Sequence, residues 1–284
     1  MHINKEFLIG EISITEIFIY YCIVKDKPDS KQSFDRKTNQ RFTHNMEKAA
    51  TIDLKKEHKT TLETPRYKYS FIAKVFFAGM DLVAGKKNTL PKAKLLEILA
   101  SIPYRVWEIR HYVKLTRKFR NTDRVKEVKS VIDWGRDAQD NEYTHLLVIH
   151  EKMKEDGMKD KWYLNPFVTF FAVLSYVIIA KLMAFFSQKR AFLFNAEFEN
   201  HAEGVYAGMV VDNTEWEEQK VNNAFVKEYA DVDTWADVFR RIMLDERDHM
   251  NHSFEFCGKP EMVQKYEGMP SDYSDPKLAT PIKP

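Results

Sequence analysis

The sequence predicts an all-α fold, and three observations carry that expectation. The 284-residue chain has only nine glycines and ten prolines, and five of the prolines fall in its last 25 residues. That is too little turn chemistry for many short strands. Apolar residues recur at helical spacing over several long stretches instead of alternating. Hydrophobic residues make up 44% of the chain and aromatic residues 13%, ample for a bundle core.

Charge and cysteine content narrow the function classes. A formal net charge of +2 is too small for bulk nucleic-acid binding, so no nucleic-acid partner is expected. Two cysteines, Cys22 and Cys257, form neither a disulfide framework nor a zinc pattern, which fits a reducing compartment. The N-terminus, MHINKEFLIGEISITEIFIYYCIV, is apolar but interrupted by Glu6, Glu11 and Glu16. It therefore reads as a structural or membrane-surface element, with no clear targeting peptide.

Along the chain, residues 1–66 read as a polar N-terminal arm, partly disordered, because 26–66 are charged and show no sustained period. The helical domain then occupies 67–258. Its first helix lies in KYSFIAKVFFAGMDLVAG, where Ile72, Val75, Phe76, Met80 and Val83 share a face. Pro91 suits the first turn of the second, PKAKLLEILASIPYRVWEIRHYVKL. A third runs from about Asp123 to about Lys154. A long apolar segment follows, then a helix through NAEFENHAEGVYAGMV, and a last one over TWADVFRRIMLDERDHMNHSFEF. Residues 259–284 read as a loose Pro-rich tail. No internal repeat at a fixed period is evident.

The apolar segment has 19 uncharged residues, Trp162 to Ala180, the length of a spanning helix. Asn165, Pro166, Thr169, Ser175 and flanking charges favour a helix lying in the membrane interface over one that crosses it. The basic run Arg105–Lys126 is open to two readings, a solvated helix face or a contact for anionic headgroups.

The chemistry-bearing pattern is Glu-x-x-His, which occurs at Glu108–His111, Glu142–His145 and Glu246–His249. At i, i+3 both side chains share a helix face and reach one metal ion. Two such pairs plus one Glu from each of two further helices form the ferritin-like four-helix recipe for a di-iron or di-manganese carboxylate site. Glu97, set among apolar neighbours in LLEILA, is costly to bury unless paired or metal-bound. In AEFENHAEGVY, spacing leaves Glu197, Glu199 and Glu203 all open. Glu108 lies eleven residues, roughly 16 Å, beyond Glu97 on the same helix, so both cannot serve one centre. Glu108 and His111 read instead as part of a surface salt-bridge cluster with Arg105, Arg110 and Lys114.

Four segments carry a resemblance. NEYTHLLVIHEKM resembles the NEMHHLLIMEEL-type motif of plastid terminal oxidases and the NERMHL motif of mitochondrial alternative oxidases. LEILASIPY is similar to LETIARVPY, FENHAEGVY to VESHAYSTY, and IMLDERDH to IRDDEAEH. The motifs keep the family's order over roughly residues 68–256. The chain thus resembles the alternative oxidase superfamily, nearer its plastid terminal oxidase branch.

That resemblance implies a membrane-associated quinol:oxygen oxidoreductase reducing dioxygen to water without proton pumping. Two iron ions would be the cofactor, with plastoquinol or ubiquinol as electron donor. It makes Glu97, Glu142, His145, Glu199, Glu246 and His249 the metal-site residues and excludes Glu203. Tyr206 matches the family's redox-active tyrosine, Asn141 and Asp245 stand beside the ligands, and Ala202 matches a quinone-pocket residue. Lys92 falls near an Arg at the quinone entrance, and Met243 replaces an Arg whose salt bridge is then missing. The family also implies a homodimer held peripherally on the cytoplasmic or stromal membrane face. The alternatives are another di-iron carboxylate enzyme, such as a quinone-precursor hydroxylase, or a ferritin-like iron-binding protein. A fatty-acyl desaturase would need several spans and His-rich boxes, which the sequence lacks.

Overall fold

Each helix starts where the sequence supplies an oxygen for its first unpaired N–H groups. In the computed structural model, which describes residues 52–269, Asp53, Ser70, Thr89, Asn121, Asn165, Ser187, Asn223 and Thr234 each cap a helix with their side chain. The helices so started are α1 (Leu54–Glu63), α2 (Phe71–Ala84), α3 (Leu90–Lys118), α4 (Thr122–Glu155), α5 (Pro166–Phe186), α6 (Gln188–Asp212), α7 (Ala224–Tyr229) and α8 (Trp235–Cys257). Pro91 and Pro166 sit in first turns, where no donor is lost. Gly258, at φ 82°, ends α8 in the left-handed conformation that glycine adopts without strain. The described residues contain no strand, so the all-α expectation holds.

Four long helices form the bundle. α3 pairs with α4 across a tight three-residue connection, and α6 pairs with α8. Gly135 lets α4 come close to α3, since a Cβ there would stand 3.2 Å from the Tyr104 backbone oxygen. α2 packs on α6, and α5 packs on α3 and α6. α2 and α5 meet where Phe76 and Tyr176 lie 5.1 Å apart, and both turn apolar side chains outward. Phe71 and Leu82 on α2, and Phe167 and Phe186 on α5, are each more than two-thirds exposed. Among the described residues α5 is the one helix long and apolar enough to cross a membrane. Its buried residues, Thr169, Tyr176, Ala180 and Ala184, fall on one stripe along its length.

The N-terminal reading needs correction. Residues 54–63, assigned to the arm, form α1, and its buried face is Glu57, His58 and Thr61. No apolar period betrays this helix because polar groups hold it. Arg247 of α8 donates to Glu57 Oε2 at 2.6 Å, to Glu203 Oε1 at 2.9 Å and to Thr61 Oγ1 at 2.6 Å. The His58 ring lies 2.9 Å from the Ala207 carbonyl. The tail is corrected in the same way over 259–269. Tyr67 donates to the Met262 carbonyl at 2.8 Å, Asn251 and Gln264 bond reciprocally, and Tyr266 donates to Asp248. The membrane-surface reading of the N-terminus, residues 1–51 of the arm and residues 270–284 lie outside the described residues. The short helix α7 was not anticipated.

The surface cluster expected around Glu108 is also not formed. Glu108 accepts from Arg136 at 2.6 Å, and Arg105 turns to Gln139. His111 is buried, 1% exposed, with Nδ1 2.8 Å from the Trp107 carbonyl.

Two stability measurements follow from these contacts. Arg247→Met leaves Glu57 and Glu203 buried without a cation and should cost roughly 3–5 kcal/mol in urea unfolding. Burial, assisted by the nearby Lys114 charge, lowers the His111 pKa from 6.5 to about 4. A neutral His111 costs nothing above pH 6.5. As pH falls from 6.5 through 4, the unfolded chain takes up a proton that the folded one refuses. The stability difference between wild type and His111→Gln should therefore shift against wild type by about 3 kcal/mol across that window. A pH-independent difference would refute the assignment.

Candidate metal centre

The facing sides of α3, α4, α6 and α8 place carboxylates and imidazoles where a bundle ordinarily puts leucine. Glu97 comes from α3, Glu142 and His145 from α4, Glu199 from α6, and Glu246 and His249 from α8. The i, i+3 spacing sends both members of each Glu-x-x-His pair inward. Five of the six are at most 1% exposed and His249 is 6% exposed. They form two overlapping sets whose ligand atoms lie within 4.8 Å of one another. The first is Glu97, Glu142, His145 and Glu246; the second is Glu142, Glu199, Glu246 and His249. Glu142 and Glu246 belong to both, so they stand between the two positions.

The pattern of unpaired atoms matches metal binding. Both oxygens of Glu142 and of Glu246 lack a hydrogen-bond partner, as do Glu97 Oε2, Glu199 Oε2, and Nδ1 of both histidines. His249 Nδ1 lies 2.8 Å from Glu142 Oε1, and His145 Nδ1 lies 3.1 Å from Glu246 Oε1. These approaches lie within ion-pair distance but lack the alignment of a hydrogen bond. Buried polar atoms are rarely left so. Burial and the charges of Glu142 and Glu246 push the carboxyls of Glu97 and Glu199 well above their ordinary range. Burial would do the same to Glu142, but His249 and His145 outweigh it and hold Glu142 low. A divalent ion in each set would satisfy the free lone pairs and offset the repulsion. Carboxylate oxygen with imidazole nitrogen is a donor set suited to iron or manganese. The buried Glu/His clusters can thus hold metal.

Surrounding residues fix the orientation of these groups. Asp245 Oδ2 lies 3.1 Å from His145 Nε2, leaving Nδ1 for the centre, and accepts from Tyr229 at 2.6 Å. Asn141 reaches the same oxygen at 3.4 Å, and Arg241 pairs with Asp245. Burial opposes charge on Asp245, yet Arg241 and His145 hold its carboxyl far below the usual range. Met243 is buried, so no salt bridge forms from that position; Asp245 pairs with Arg241, one turn earlier on α8.

Of the three glutamates that spacing left open, only Glu199 joins the cluster. Glu197 accepts from N and Oγ of Ser70, the residue that caps α2, at 2.6 Å, and Glu203 goes to Arg247. The Tyr206 hydroxyl donates to Glu97 Oε1. Ala202 is fully buried on α6, one turn beyond Glu199. Lys92 is not in the cluster; its ammonium donates to Asp81 at 2.6 Å and to the Gly85 carbonyl at 2.9 Å, joining α3 to α2. Tyr104, Asn195, Tyr229 and Arg241 escaped the sequence reading. For Tyr104 a signal existed, because it stands seven residues after Glu97 as Tyr206 does after Glu199.

Scanned against protein-family models and against curated proteins, the chain matches none.

Anaerobic dialysis against Fe(II) or Co(II) should load two ions per chain. Glu142→Ala or Glu246→Ala should abolish both, and Glu97→Ala or Glu199→Ala only one. Loading displaces the protons of Glu97 and Glu199, so apparent affinity should fall as pH is lowered. Unchanged stoichiometry in Glu142→Ala would remove that residue from the centre.

Proposed function

We propose that the chain is a membrane-docked di-iron quinol oxidase, transferring four electrons from two quinols to one dioxygen and releasing two waters. One observation carries this reading. The six residues that the motifs singled out converge from four helices into one buried site, with the hydroxyl of Tyr206 on one of its carboxylates. Two iron ions bound there would supply the Lewis acidity and the reducing electrons that dioxygen needs.

The chain's own residues would do the rest. Glu97, Glu142, His145 and Glu246 would hold one ion, and Glu142, Glu199, Glu246 and His249 the other. Asp245, itself neutralised by Arg241, fixes the His145 ring and its tautomer. Tyr206, fully buried, holds its proton on Glu97 Oε1, where the hydroxyl can give up both a proton and an electron. The surrounding apolar core keeps bulk water away. Asn141 steadies Asp245 from the α4 side.

The apolar outer faces of α2 and α5 support docking in one leaflet, where quinol dissolves. α5 packs on the bundle through a stripe that runs its whole length, which favours a helix lying in the interface over one leaving the bundle to cross the bilayer. The peripheral arrangement, the homodimer and a quinol pocket bordered by Ala202 and Lys92 belong to the same proposal. In it, Lys92 braces the α2–α3 junction at the pocket's rim while bound to Asp81.

The test is quinol-dependent, cyanide-resistant oxygen uptake in membranes carrying wild type or Glu142→Ala. Uptake should be present in the first and lost at least about 100-fold in the second at equal expression. Protein holding two irons but inactive with every quinol would redirect the assignment to a hydroxylase or an iron-binding role.

A further inference from the structure

Two of the bundle helices carry the same pair of residues at the same spacing. Glu97 and Tyr104 on α3 are seven residues apart, as are Glu199 and Tyr206 on α6. The tyrosines are exchanged between the helices. Tyr206 of α6 donates to Glu97 Oε1 on α3, and Tyr104 of α3 donates to Glu199 Oε1 on α6 at 2.5 Å. In each glutamate the tyrosine takes Oε1 and Oε2 is left without a partner. Glu142 and Glu246, which no tyrosine touches, have both oxygens free.

We propose that Tyr104 is a positioning residue for the metal ion on the Glu199–His249 side, its hydroxyl holding Glu199 Oε1 so that only Oε2 can bind the ion. This rests on the metal-centre reading and not on quinol oxidation.

The surroundings of Tyr104 leave its hydroxyl one useful direction. The residue is fully buried, and its ring meets Trp107 and Trp134 edge-on at 5.5 Å and 5.2 Å. Asn195 Nδ2 lies 3.0 Å from the Tyr104 oxygen, 2.9 Å from Glu199 Oε1 and 3.0 Å from Ser253 Oγ. An amide donor on the phenol oxygen occupies its acceptor side and turns the hydroxyl hydrogen toward the carboxylate. Gly135 lets α4 come close to the backbone of Tyr104. A ring so confined, with its oxygen so oriented, fixes one carboxylate oxygen. Without the hydroxyl, Glu199 Oε1 would keep only the Asn195 amide, and the carboxylate could turn to chelate through both oxygens or leave the ion.

Tyr104→Phe removes a single oxygen and keeps the aromatic packing. Anaerobic Fe(II) and Co(II) titrations of the full chain, by calorimetry and by the visible bands of Co(II), read the consequence. Wild type should bind two ions. In Tyr104→Phe one dissociation constant should rise about 10–100-fold while the other stays within about twofold. The Co(II) spectrum of the weakened ion should change shape as its coordination changes. Tyr206→Phe should weaken the other ion, and the double variant both. Asn195→Ala removes the amide from both the Tyr104 oxygen and Glu199 Oε1 and should weaken the same ion; if Tyr104→Phe does not fold, two unchanged constants in Asn195→Ala would overturn the proposal.

Two constants unchanged in Tyr104→Phe would overturn the proposal. So would an equal loss at both ions with a lower melting temperature of the metal-free protein, because that is general loosening. If wild type binds no ion, the metal-centre reading falls and the proposal with it. Two tightly held ions unaffected by Tyr104→Phe would sink the proposal alone.

Discussion

The cost of burying charge governs this molecule. Four carboxylates and two imidazoles occupy the middle of a helical bundle, where an isolated ion would be several kcal/mol out of place. Burial, with the charges of neighbouring carboxylates, pushes up the carboxyls of Glu97 and Glu199, while the imidazoles hold Glu142 down. The ion pair of Asp245 with Arg241, the two tyrosine hydroxyls and Asn195 all aim at this cluster. Each lowers the cost of one polar atom while leaving another atom of the same group free. The core is therefore built around carboxylate oxygens and imidazole nitrogens that face one another without hydrogen bonds, an arrangement that can hold metal.

The same economy of charge recurs away from the centre. Lys152, fully buried, donates to Asp156 and Gln219 and lies over the rings of Trp216 and Trp235. Lys92 and Lys94 are buried and each pairs with a more exposed aspartate, while Arg247 is buried with two glutamates. Each pair ties a bundle helix to an element that the apolar pattern alone would leave loosely attached. Lys92 holds α2, Lys94 reaches Asp160 beyond α4, and Arg247 clamps α1.

What the sequence revealed, and what it hid, follows the kind of contact involved. The long helices were legible because Leu95, Leu96, Leu99 and their counterparts repeat at 3.6-residue spacing, and the Glu-x-x-His pairs because a helix turns i and i+3 to one side. α1 was hidden because its buried face is Glu57, His58 and Thr61, which carry no apolar period. His111 was misread because a lone histidine beside arginines looks like a surface residue, yet Trp107 and its neighbours cover it. Tyr104 was passed over although its spacing from Glu97 was visible. Only the packing of α3 against α6 shows that a tyrosine serves the other helix's glutamate. Spacing along one helix cannot say which partner lies across from it.

The clamp on α1 has a consequence for where this protein can be cut. Arg247 follows Glu246 directly, so the residue that fastens α1 is covalently next to a candidate ligand on α8. A fragment trimmed at residue 67, the boundary that hydrophobic patterning suggests, would lose the Glu57 carboxylate and the Thr61 hydroxyl together. Its α8 would then carry a half-paired guanidinium one residue from the centre. The described helical unit includes Ile52, which packs on the core, and Asp53, whose side chain caps α1 fourteen positions ahead of residue 67.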